Sequence, residues 1–216
     1  EMEFCGVGRA LVWHAAMRDD CPTVGNPLLA DAIRGKPNLV GTWAILPPQT
    51  GEMPAPDEFV ARMKAQNIRA LRAFPAEHRY LLNATTFGTL FDLMVQKRVP
   101  LILGPEWALV DGLLRDFPKL TVIVVGHGNW GQDRFFRPLI ERFPNFYIDM
   151  SRYELDNGIE EFCKRYGPDR MLFATSFPAS SMGGPMLTLK HAAIPDQHKD
   201  AIASGNLDRL LKEVRL

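Results

Sequence analysis

The segment TVIVVGHGNW, residues 121–130, runs five β-forming residues into Gly126, His127 and Gly128. An imidazole held between two glycines at the end of an apolar strand could ligate a metal or act as a general base near neutral pH, because glycine permits close backbone approach and unusual φ. A core histidine bonded to a neighbouring carbonyl is the alternative. Other strand ends carry further groups. His14 closes ALVWHA, Trp43 lies in LVGTWAIL, Arg72 in IRALRAF, Asp149 in FYIDMS and Ser176 in MLFATSF; Glu106 follows PLILG, and His78 sits in the loop PAEHRY. Arg72 has a planar fork that grips a carboxylate or phosphate with two bonds, or it pairs with an acid inside the fold. Glu106 and Asp149 could serve as acid, base, ligand or acceptor for a substrate hydroxyl. Trp43, Trp107 and Trp130 could wall a planar or apolar substrate. The resulting expectation makes His127 and Glu106 catalytic, with His127 also a metal ligand; His14, Trp43, Arg72, His78, Trp130, Asp149 and Ser176 line the substrate. Ser176 lacks the G-x-S-x-G elbow that exposes a hydrolase nucleophile, so a serine hydrolase is not expected.

These residues need elements to converge them. Periodicity gives seven strands: Ala10–Ala15, Leu39–Leu46, Ile68–Phe74, Pro100–Gly104, Thr121–His127, Phe146–Met150 and Met171–Phe177. Helix-period segments alternate with them at Pro27–Arg34, Asp57–Gln66, Gly88–Lys97, Ala108–Asp116, Arg134–Arg142 and Ile159–Tyr166, and a last one runs from Asp196 towards Leu216. Prolines in RGKPNL, RDFPKL and ERFPNF stop a helix and hand the chain to the next strand. Strands apolar on both faces, strictly alternating with helices, imply parallel pairing and right-handed crossovers. No GxGxxG or P-loop motif favours an open doubly wound sheet. Seven such units fall one short of a (β/α)8 barrel, whose site lies at the carboxyl ends of its strands. The opening EMEFCGVGRALV reads as the tail of a helix, so the expectation is a TIM-type α/β barrel lacking its first strand, one domain over residues 1–216.

Composition narrows the partners. The 25 basic and 25 acidic side chains cancel and form no block of like charge, which gives no support to a nucleic-acid face or a polybasic membrane anchor. The expected partner is a small molecule. Three scattered cysteines without a CxxC pattern indicate neither a disulfide scaffold nor a thiolate zinc site, and fit a reducing cytoplasm. No apolar stretch approaches the roughly 20 residues of a membrane span.

The run PLILGPEW…LLRDFPKLTVIVVGHGNWGQ, followed by NFYIDMSRY, YGPDRMLFATSFP and ASGNLDRLL, resembles the amidohydrolase-related family, the amidohydrolase-2 branch that includes decarboxylases. The likeness extends over nearly the whole chain. It implies a (β/α)8 barrel and a divalent metal, usually zinc, held by a His-x-His pair on the first strand, a histidine on the fifth and an aspartate closing the eighth. A histidine ending the sixth strand is ligand or base, and His127 matches it. The His-x-His strand would lie before Glu1; the fifth strand offers Glu106 in place of a histidine; Ser176 stands where the family has the aspartate. A serine neither ligates a metal well at neutral pH nor takes a proton from metal-bound water. Two functions follow from the resemblance: a metal-dependent hydrolase or decarboxylase acting on a small carboxylate-bearing substrate, or a degenerate barrel that binds a small ligand without metal. It also implies that the barrel can form a homodimer.

Overall fold

The computed structural model of the chain describes residues 1–128 and 131–216. Among them seven strands form one sheet: β1 (Ala10–Val12), β2 (Leu39–Ala44), β3 (Ile68–Arg72), β4 (Leu101–Leu103), β5 (Val122–Val124), β6 (Phe146–Asp149) and β7 (Met171–Leu172). Their order is sequential and every neighbouring pair is parallel. Helices α1 (Ala16–Asp19), α2 (Pro22–Ile33), α3 (Pro56–Ala65), α4 (Pro75–His78), α5 (Ala84–Lys97), α6 (Trp107–Asp116), α7 (Asp133–Arg142), α8 (Gly158–Tyr166) and α9 (Gly183–His191) fill the crossovers. The chain ends in α10 (Asp196–Asp200), a π-helical segment (Ala201–Gly205) and α11 (Asn206–Glu213), and the backbone stays helical across both joins. This is the barrel-type α/β architecture, with the sheet open between β1 and β7 among the described residues.

Each strand sends alternate side chains to two separate cores. Leu71, Leu101, Val122, Phe146, Ile148 and Met171 face the outer layer, against Met63 of α3, Phe91 of α5, Leu114 of α6, Phe136 of α7 and Phe162 of α8. Ala70, Ile102, Ile123, Tyr147 and Leu172 face inward, where Leu207 and Leu210 of α11 join them. Arg209 donates to the Tyr147 hydroxyl at 3.4 Å and the Asp169 carbonyl at 3.1 Å, and ion pairs join Arg9 to Asp208 and Arg98 to Glu213. All of these partners lie at or before the starts of strands, so α11 closes the amino-terminal end of the barrel. A cavity of about 250 Å³ lies at this closed end, lined in part by Arg98, Lys119, Asn145 and Leu210, away from the strand carboxyl ends.

Several boundaries differ from the periodicity reading. Helix α2 starts at Pro22, whose fixed φ suits a first helical turn, and carries Pro27 within it. Helix α5 starts at Ala84 because Asn83 caps it, its side chain accepting from the Thr86 N–H at 3.1 Å. Helix α9 has no expected counterpart, since GGPMLTLKH opens on two glycines and lacks a clean apolar stripe.

Candidate active site

The inward parity of Ala70 and Tyr147 carries two residues further to Arg72 and Asp149, at the carboxyl ends of β3 and β6. Trp13, just past β1, packs against the outer cluster and lies 5.4 Å from Phe74 between ring centroids. The Arg72 guanidinium lies 5.0 Å from the Trp13 ring centroid. Its Nε is shielded from solvent and has no hydrogen-bond partner, while part of the side chain stays accessible. No carboxylate lies within ion-pair distance of it among the described residues. Burial lowers its pKa to about 10, with Asp149 the opposing charge that raises it. A cation held this way, stacked on one face and unpaired, has spare donors for a bidentate anion.

Asp149 anchors the other side. Its Oδ1 accepts from the Gly126 N–H at 2.9 Å and its Oδ2 from the Ser151 hydroxyl at 3.0 Å. Ser176 donates to Ser151 Oγ at 3.0 Å, so a chain of two hydroxyls leads to a carboxylate that is 3% exposed. Burial pushes the Asp149 carboxyl above its usual range, against the N–H and O–H donors that pull it down. Ser176 sits at φ 54, a left-handed conformation that a non-glycine residue adopts at a cost.

His127 is placed elsewhere. Strand parity alone would turn it inward after Val125, but Gly126 at φ 67 and Gly128 at φ 72 break the alternation. The ring turns into the outer layer, 5.2 Å from Phe136 and 5.4 Å from Tyr153 between centroids. Its Nδ1 lies 2.7 Å from the Gly128 carbonyl oxygen and its Nε2 3.0 Å from the Asp149 carbonyl oxygen. Burial holds the imidazole below its ordinary pKa, against the pull of the two carbonyls, and both ring nitrogens face backbone oxygens rather than the mouth. Neighbouring Tyr153 is fixed by donating to Asp133, which also pairs with Arg137. The expectation of a metal ligand or base at His127 is not met by this geometry.

The remaining candidates divide. Trp43 faces outward onto Phe59 of α3, 5.4 Å between rings, which removes it from the substrate wall. His14 Nδ1 accepts from the Ala16 N–H at 3.1 Å and so caps α1. His78 Nε2 meets the Met17 carbonyl at 2.8 Å, tying α4 to α1. Glu106 is an exposed residue before α6 and its side chain makes no hydrogen bond among the described residues. Trp130 lies outside the described residues. The structure thus groups Arg72, Asp149 and Ser176 around one mouth, and adds Trp13, Ser151 and the Gly126 N–H. Ser151 was legible by its place beside Asp149; Trp13 packs against the outer cluster, against the parity of Leu11, and the Gly126 contact depends on a backbone angle that no side-chain pattern encodes.

The amidohydrolase family model matches residues 12–212. The chain belongs to the amidohydrolase family. No curated protein matches it by sequence. Among solved structures, the chain superposes on an uncharacterised TIM-barrel protein from Bordetella bronchiseptica with a TM-score of 0.75 at 21% identity, covering 98% of this chain and 80% of that one. It matches 5-carboxyvanillate decarboxylase from Sphingomonas paucimobilis with a TM-score of 0.71 at 16% identity, covering 98% and 81%. Dihydroxybenzoic acid decarboxylase from a Polaromonas species, solved with bound manganese and 2-nitroresorcinol, gives 0.65 at 16% identity, covering 94% and 78%. At these identities the likeness establishes the fold. No helix among the described residues is long and apolar enough to cross a membrane.

A divalent ion would need several converging acidic, imidazole or thiolate donors. The described residues contain no group of three such side chains. Ser176 offers a neutral hydroxyl, both Asp149 oxygens already accept hydrogen bonds, and both His127 nitrogens face carbonyls. The donors among the described residues do not by themselves fit a divalent metal.

Proposed function

We propose that this amidohydrolase-family protein is an enzyme that acts on a small carboxylate-bearing substrate at the carboxyl-end mouth, by hydrolysis or decarboxylation. The observation that carries the reading is Arg72: an inward, partly accessible guanidinium with an orphaned Nε, no ion-pair partner among the described residues, and an indole beneath it. Related decarboxylases in the same fold, named for carboxylate substrates, support it.

The residues at the mouth have distinct work. Arg72 holds the carboxylate through its fork, and Trp13 keeps the guanidinium plane in place. Asp149 stands opposite as the acceptor at the end of the relay, its carboxyl raised by burial, with Ser151 and Ser176 linking it to the substrate side. In this arrangement a proton moves between Ser176 Oγ and Asp149 Oδ2 through Ser151 Oγ, in either direction, as the substrate gains or loses one. The inner apolar layer below, with Ile123 and Leu172, excludes water from the floor.

A second reading, a ligand-binding barrel without turnover, is favoured by one observation: His127, the histidine expected at the mouth, has both ring nitrogens against backbone carbonyls. Calorimetric titration with benzoate and phthalate tests the shared step. Saturable binding that weakens about tenfold or more in Arg72→Gln supports it, and equal binding by the variant removes Arg72 from the site. Mass spectrometric detection of a decarboxylated product then separates enzyme from binder.

A further inference from the structure

We infer that the mouth engages its carboxylate ligand without a divalent metal ion, the Arg72 guanidinium supplying the positive charge. The inference rests on the carboxylate reading above and adds to it that no ion is required. At the end of β4 the chain continues Gly104, Pro105, Glu106, and Glu106 is an exposed carboxylate with no neighbouring donor converging on it. At the end of β5 the two positive-φ glycines rotate His127 out of the mouth and onto the Gly128 and Asp149 carbonyls. Beyond β7 the side chain is Ser176, and its hydroxyl proton is committed to Ser151.

Among the described residues Asp149 is the carboxylate placed inward at this level, and its oxygens accept an N–H and an O–H. A dication bound there would lie near Arg72, with a single carboxylate to offset both charges. Among the described residues the mouth offers an anion the unpaired Arg72 guanidinium and offers a cation the Asp149 carboxylate alone. A charge-assisted fork is sufficient for a carboxylate, so the mouth has a working alternative to a metal within its own residues.

The test uses the 216-residue protein purified from medium supplied with zinc and manganese, without chelator. Elemental analysis is expected to find substoichiometric metal, and titration with zinc or manganese chloride to find no saturable site. Benzoate and phthalate affinities are expected to change by less than about twofold after dialysis against a chelator, and by less than about twofold on adding manganese. One equivalent of zinc or manganese surviving gel filtration would overturn the inference. So would carboxylate binding that disappears with chelator and returns with manganese, an outcome that leaves the carboxylate reading standing. Absence of carboxylate binding in both conditions, with a native circular dichroism spectrum, sinks both.

Discussion

Arg72 and His127 divide function from packing at the level of single side chains. Arg72 is half-buried with an unsatisfied Nε, a state that costs stability and is retained only where it is used. Replacing it with methionine is therefore expected to raise stability by about 1 kcal/mol while abolishing carboxylate binding; a fall in melting temperature instead would make it a structural residue. His127 should behave oppositely. His127→Ala leaves a hole among Phe136, Tyr153 and Trp107, so thermal unfolding should show a loss of about 2–4 kcal/mol with carboxylate affinity retained. Its pKa is lowered on folding, so the unfolded chain binds more protons below about 6.5, and the stability His127 confers is lost as pH falls through that value. Asp149, raised on folding, acts in the opposite sense above about 3.8. A His127→Phe variant should have a flatter stability profile between about pH 5 and pH 7 than the parent. The type and position of Arg72, Asp149 and Ser176 were legible from strand ends. The direction of His127 was not, because the glycines that made it conspicuous are also what turns it away.

At the scale of elements, short polar links and close contacts fix the strands that present the mouth. Asn26, buried on α2, donates to the Ala44 carbonyl at 2.9 Å and accepts from the Ala44 N–H at 2.8 Å, pinning the end of β2. Beside it, a Cβ on Gly25 would sit 2.3 Å from the Met17 backbone nitrogen, whereas one on Gly41 would meet the mobile end of Ile68 at 2.4 Å. Gly25→Ala should therefore cost about 3 kcal/mol or more in chemical denaturation, and Gly41→Ala distinctly less. Asn206 plays a similar part in α11, donating to the Pro168 and Met171 carbonyls at 2.8 and 2.9 Å. Asn206→Leu should cost about 2 kcal/mol and speed amide exchange at Phe173. The strands and main helices follow directly from apolar runs and proline stops. Helix starts set by Asn83 and Pro22, and the glycine-led α9, were obscured because caps and tertiary contacts outweigh periodicity there.

For the molecule as a whole, the alternation of strand and helix was sufficient to place every strand in sequential parallel order, since right-handed crossovers leave little choice. The role of the last helix was not legible, because its two apolar inner residues read as an ordinary amphipathic stripe. Leu210 lies 5% exposed in the inner cluster, and Leu210→Ala is expected to lower stability by about 2–4 kcal/mol although it lies at the end opposite the mouth. The π-helical turn has a wider effect. Phe173 gives its N–H to the Ile202 carbonyl at 2.9 Å, and Asn206 occupies the Met171 carbonyl on the same side of β7. The backbone groups that would template an additional strand are thus already taken, so any newcomer zipping onto that flank must first peel the terminal helix away. Ring closure and helix docking are rivals for the same ladder rungs.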